Sequence, residues 1–190
     1  MRIKHVAEHE ATGPIKIEYE RLIETFGMVP NQTKIFSIWP EIFDLHNDMY
    51  KKIMVNQTLL PKPIKQFIAV LAARADSCGY CTFWHTHFLK VMGIDQTIID
   101  TLGDDYRQAP VDDKTMSLLE YSDLVARDAA GSKDDDVQKL RNHGFSDEEI
   151  LEVAVIVGYF GFMTRVLGAL GVEIESTQES QAGDTEAADV

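Results

Sequence analysis

Along this chain of 190 residues, apolar side chains recur three and four positions apart, and no convincing run alternates apolar with polar residues as a half-buried strand does. That periodicity restricts the fold to packed helices and predicts an all-α protein. With 45% hydrophobic and 26% charged residues, the chain has material for one domain with a sizeable core.

A first helix is predicted from Ile15 to Phe26, and Gly27 to Asn31 breaks it. A short helix around Gln32 to Ile38 follows, then one from Pro40 to about Val55, since proline suits a first turn. Asn56 to Leu60 reads as a loop. Ile64 to Ala75 is apolar on most sides, which marks a central helix. The next helix is predicted from Gly79 to Met92, stopping at Gly93, and another from Asp95 to Leu102.

Asp112 to Ala129 is amphipathic. Asp134-Asp135-Asp136 opens a further helix, because acids complement the positive end of the helix dipole; this reading is preferred to a metal site. Ser146-Asp147-Glu148-Glu149 is a capping box, and the apolar helix it opens runs to about Leu170. Gly158 and Gly161 in that helix predict the close approach of another helix. The expected organisation is an extension over 1–14, one helical domain over 15–172, and an acidic disordered tail over 173–190.

Net charge is −13, and the last eighteen residues hold six acids with no Lys or Arg. A chain this acidic lacks the cations that displace phosphate counterions, so nucleic acid and anionic membrane surfaces are not expected partners. The first residues carry no apolar run of the signal-peptide kind, and the uncharged stretch between Glu152 and Arg165 is shorter than the roughly 20 residues a bilayer requires. A cytoplasmic location is therefore expected.

The chemistry concentrates at Cys78-Gly79-Tyr80-Cys81-Thr82-Phe83-Trp84-His85, which contains both cysteines of the chain. On a helix, Cys78 and Cys81 share one face, as do Cys81 and His85. Cys78 falls at the helix N-terminus, where the dipole and free N–H groups favour a thiolate. His85 is expected to take the proton of Cys81 and leave an ion pair. Such a pair of thiols suits redox chemistry on peroxides or disulfides. Two rival readings are two buried cysteines with a satisfied histidine, and a zinc site from Cys78, Cys81, His85 and His87. His85 and His87 point about 200° apart on a helix, which disfavours the zinc site. No metal is assigned.

The run resembles the motif of the AhpD-like and carboxymuconolactone decarboxylase-like superfamily: a Glu, eleven residues, then C-x-x-C-x-x-x-H. The resemblance takes in Val29-Pro30-Asn31, the helix from Pro63 to Ala75, the motif helix ending at Gly93, the Gly144 to Ile150 segment, and the helix ending at Val172. It covers most of residues 28–172 and is strongest for the subgroup described as peroxidase-related. It implies an AhpD-like helical bundle with the C-x-x-C at the start of a central helix. It also implies a homo-oligomer (a dimer, trimer or higher multiple) and a cysteine pair that cycles between dithiol and disulfide. In relatives, the Glu, the His and both Cys form a proton relay. Carried over by position, the thiols are Cys78 and Cys81, the histidine is His85, and Gln66 stands where the family has its Glu. An amide does not exchange protons near neutral pH, so the relay is incomplete. Asp76 is a candidate acid to replace it, although it also reads as a helix-start residue.

The expected function is a thiol-dependent peroxidase or disulfide oxidoreductase. Cys81 attacks, Cys78 resolves, and an external dithiol restores the pair with no cofactor in the chain. Tyr80 and Trp84, beside the thiols, are assigned to the substrate pocket, with core packing the plainer alternative. Arg165 is expected to pair with an acid inside its apolar helix. The other readings are a non-redox lactone decarboxylase-like enzyme using His85 as acid and base, and a zinc-holding structural module.

Overall fold

The computed structural model describes residues 1–175; the part of the expected tail from 176 to 190 lies outside them. Among the described residues there are nine α-helices and no strand. They divide into two compact units. Of the described residues, one contains Met1–Val55 with 167–175, and the other Asn56–Val166.

In the first unit, α1 (Gly13–Phe26) packs on α3 (Pro40–Tyr50), with Tyr19 edge-on to Phe43 at 6.1 Å. Pro14 and Pro40 occupy the opening turns, where the missing N–H has no helical partner to lose. The short helix predicted after the first break is α2 (Asn31–Lys34). The predicted helix to Val55 ends its α-helical part at Tyr50 and continues through a wider π turn, Lys51–Val55. The opening residues are tied in. Arg2 donates its backbone N–H to Leu170 O at 2.7 Å and its Nη1 to Ala169 O at 2.9 Å, satisfying carbonyls at a helix C-terminus.

The second unit is built around α4 (Lys62–Ala75), which packs against α5 (Gly79–Val91), α6 (Gln96–Gly103) and α7 (Asp113–Asp128). Ile68, Ala69, Val70 and Ala73 of α4 are buried, as its apolar composition predicts. α8 (Asp134–Asn142) begins at the triple Asp. The capping box closes in both directions: Ser146 N–H donates to Glu149 Oε2 at 2.7 Å, and Glu149 N–H to Ser146 Oγ at 3.2 Å.

α9 (Asp147–Leu170) is one helix of 24 residues. It is long and apolar enough to cross a membrane by length and composition, more so than the uncharged run inside it suggested. Val153, Ile156, Val157, Phe160 and Met163 are buried in the fold. Among the described residues, the helix contact expected at its glycines is not found. Gly158 is exposed with no neighbour where a side chain would go, and the space beside Gly161 is taken by Arg165 of the same helix.

Loop 56–60 is fastened by a network that its sequence did not announce. Lys65 is fully buried, and its Nζ donates to Asn56 O at 2.9 Å and Thr58 Oγ1 at 3.2 Å. Glu152 accepts from the Thr58 hydroxyl and from the N–H groups of Leu59 and Leu60, at 3.1 and 3.2 Å.

Candidate active site

The end of α4 and the start of α5 are joined through one residue. Ser77 N–H bonds to Arg74 O at 3.0 Å and Cys78 N–H to Ala73 O at 2.8 Å, the paired bonds of a Schellman turn. Ser77 takes the left-handed position at φ 56, where glycine is usual. Cys78 completes that turn and is at once the N-cap of α5.

The N-cap position directs its sulfur back over the first turn. Cys78 Sγ accepts from Cys81 N–H at 3.3 Å and lies 2.8 Å from Cys81 Sγ. Cys78 is partly exposed, whereas Cys81 is 3% exposed. Both are free thiols. The hydrogen bond from Cys81 pulls the Cys78 thiol down to about 7 from its ordinary 9.0; burial and Asp76 oppose this, and the N–H groups of Cys81 and Tyr80 assist. Cys81 moves the other way, because its bond to Cys78 and its burial both hold the proton. The sequence expectation placed the activated thiol at Cys81. In the structure the accessible, acidified sulfur is Cys78.

His85 lies one helical turn beyond Cys81, buried, with Phe160 edge-on at 4.6 Å. Its Nδ1 is 2.5 Å from Gln66 Oε1, which only accepts, so Nδ1 carries the proton and Nε2 presents a lone pair. Burial lowers His85 to about 3. An imidazolium is not stabilised there, and the expected ion pair with Cys81 gives way to a bond between the two sulfurs. Among the described residues, no hydrogen bond joins His85 to either thiol.

Gln66, reached by counting back along the chain, is the residue placed against His85. Tyr80 and Trp84 are both buried, and Trp84 packs edge-on against Phe83 and His87 at 5.5 and 5.6 Å. Phe160, named in sequence only as one of an aromatic pair on α9, is the ring that walls the imidazole. Asp76 ends α4 rather than starting a helix and faces Thr164 and Arg165, so it does not take the place of the absent Glu. Among the described residues, no three His, Cys, Asp or Glu side chains converge as metal ligands.

No protein-family model and no curated protein sequence matches the chain. Solved structures do. An uncharacterized peroxidase-related protein from Silicibacter sp. superimposes with a TM-score of 0.83 at 26% identity, over 94% of this chain and 95% of the other. The AhpD-core peroxidase-related protein of Ralstonia eutropha gives a TM-score of 0.87 at 21% identity, over 97% of both chains. The chain shares the fold of these AhpD-like structures. A cysteine-to-alanine variant of the debrominase Bmp8, bound to 2,3,4-tribromopyrrole, shares that fold with a TM-score of 0.77 at 16% identity, over 96% of both chains. In this chain the Gln66 amide, and among the described residues no carboxylate, is hydrogen-bonded to the buried histidine.

Proposed function

We propose that this AhpD-like chain is a thiol-dependent oxidoreductase that reduces a small peroxide or disulfide by cycling Cys78 and Cys81 between dithiol and disulfide. The observation that carries this reading is the placement of two thiols 2.8 Å apart, with the more accessible one at a helix N-cap. The peroxidase-related structures with the same fold support the redox class.

The Cys78 thiolate attacks one oxygen of a hydroperoxide, the O–O bond breaks, and Cys78 becomes a sulfenic acid as an alkoxide leaves. The alkoxide takes the Cys81 proton and departs as the alcohol. His85 Nε2 relays that proton and, being buried, does not retain it. The Cys81 thiolate then attacks the Cys78 sulfur, forms the disulfide and expels hydroxide. With a disulfide substrate, Cys78 forms a mixed disulfide and releases one thiolate, and Cys81 displaces the second. An external dithiol returns two electrons and two protons. Gln66 favours disulfide exchange over fast peroxide turnover, since no carboxylate raises the basicity of His85.

In the same proposal the chain assembles as a homo-oligomer, to which the exposed Phe83, Leu151 and Phe162 are suited. The test is steady-state consumption of hydroperoxide, a small disulfide and a brominated pyrrole, each with several dithiol reductants, beside Cys78→Ser and Cys81→Ser. Turnover of hydroperoxide or disulfide that both substitutions abolish supports the reading. Turnover that survives either one contradicts it.

A further inference from the structure

Two residues before Cys78, the turn carries a charge pair that takes no direct part in sulfur chemistry. Asp76 Oδ2 accepts from Thr164 Oγ1 at 2.6 Å and from Arg165 Nη1 at 2.9 Å, both on α9. Thr164 is buried, whereas the Arg165 side chain is largely exposed. The same Arg165 nitrogen donates to Gly161 O at 2.6 Å, and a side-chain carbon at 161 would come within 3.2 Å of it. Glycine at 161 thus leaves room for the guanidinium to reach Asp76. Between Asp76 and Cys78 stands Ser77, held at φ 56.

The pair has two effects on the thiols. It fastens the turn that sets Cys78 at its N-cap, and it fixes a carboxylate and its counter-ion beside the site of the thiolate. A nearby carboxylate disfavours a second negative charge, and a guanidinium offsets that effect. The disulfide is neutral and feels neither.

We propose that Asp76 is a positioning residue for the thiol pair, and that its charge, tempered by Arg165, sets the equilibrium between the dithiol and the disulfide. This rests on the Cys78–Cys81 cycle proposed above. The groups that set the local charge are Asp76 at the end of α4, Arg165 on α9 and the Cys81 thiol on α5; His85 is neutral. Asp76 works against the thiolate-bearing reduced form, so it makes the pair a stronger reductant. Arg165 works the other way.

The experiment equilibrates the protein with a glutathione redox buffer at neutral pH and reads the fraction of intramolecular disulfide. Asp76→Asn keeps a side-chain oxygen for Thr164 and removes the charge. It shifts the equilibrium about fivefold toward the dithiol. Arg165→Gln exposes the Asp76 charge and shifts it by a similar factor toward the disulfide. Opposite shifts are the signature, because a purely mechanical clamp moves both variants in the same direction. Shifts of the same sign, or none in either variant, overturn the proposal while leaving the cycle intact. A wild-type protein that forms no intramolecular disulfide in this buffer overturns the cycle itself.

Discussion

His85 Nδ1 donates to Gln66 Oε1 across 2.5 Å, and both side chains are buried. The amide orients the ring and fixes its tautomer, yet it supplies no charge to hold a second proton. The imidazole is therefore neutral at any pH near neutrality, with a value of about 3.

Replacing the amide by a carboxylate should change that. Gln66→Glu places a charge against Nδ1–H, raises the basicity of Nε2 and speeds proton transfer from Cys81. We expect kcat/KM for hydroperoxide to rise about tenfold, below the roughly 10²–10⁴-fold of a full general base because the base itself is already present. Steady-state kinetics check it. An unchanged rate, with Cys78→Ser and Cys81→Ser both inactive, removes Gln66 from any proton relay.

The Cys78 thiol, lowered to about 7, should alkylate with a pH midpoint near that value. The sign follows from the ionisation: the reactive thiolate is present above the midpoint and lost as pH falls through it. The chief cause is the bond from Cys81, so the two substitutions at 81 should part company. Cys81→Ser keeps an O–H donor and a low midpoint, whereas Cys81→Ala loses the donor and moves the midpoint up toward 9.0. Iodoacetamide rates against pH read this directly.

Much of this site is legible in the sequence because its parts are local. Cys78, Cys81 and His85 are one helical turn apart, and one turn of helix is what brings the sulfurs together. Gln66 is found only through the family resemblance, whose Glu stands twelve residues before Cys78, and the packing of α4 on α5 sets that position against His85. The reciprocal bonds of Ser146 and Glu149 were equally readable, being four residues of a single turn. What escaped depends on distance in the chain or on an unusual residue choice. Asp76 and Arg165 meet from different helices, and neither sequence neighbourhood names the other. Ser77 gives no glycine signal for the left-handed position it fills. Lys65 lies in an apolar helix but snorkels to the loop that precedes it, so its charge is satisfied where sequence periodicity does not look. The polarity of the thiols escaped as well, because relative exposure depends on the packing that buries Cys81.

The left-handed Ser77 offers a simple stability test. Ser77→Gly removes the strain of a side chain at φ 56 and should stabilise the fold by up to about 1 kcal/mol, less the added freedom of the unfolded chain. Ser77→Val should destabilise it, since a β-branched residue tolerates this conformation poorly. Denaturant unfolding of the reduced proteins measures both.

The buried Lys65 network should be costlier to break. Glu152→Ala strips the acceptor from Thr58, Leu59 and Leu60 and leaves the Lys65 charge without its nearby carboxylate. Loss of these hydrogen bonds to a half-buried carboxylate costs about 1–3 kcal/mol. Thermal or denaturant unfolding checks the figure, and Lys65→Met with Glu152→Ala together should recover part of the loss.

The cycle of the two sulfurs is read by the mass and free-thiol count of the reduced protein before and after one equivalent of hydrogen peroxide. Both thiols should disappear together within one subunit, and the mass should fall by two hydrogens. Cys81→Ser should instead trap an oxidised sulfur at Cys78. Retention of both thiols, a bridge between subunits, or oxidation of Cys81 with Cys78 left free would contradict that cycle.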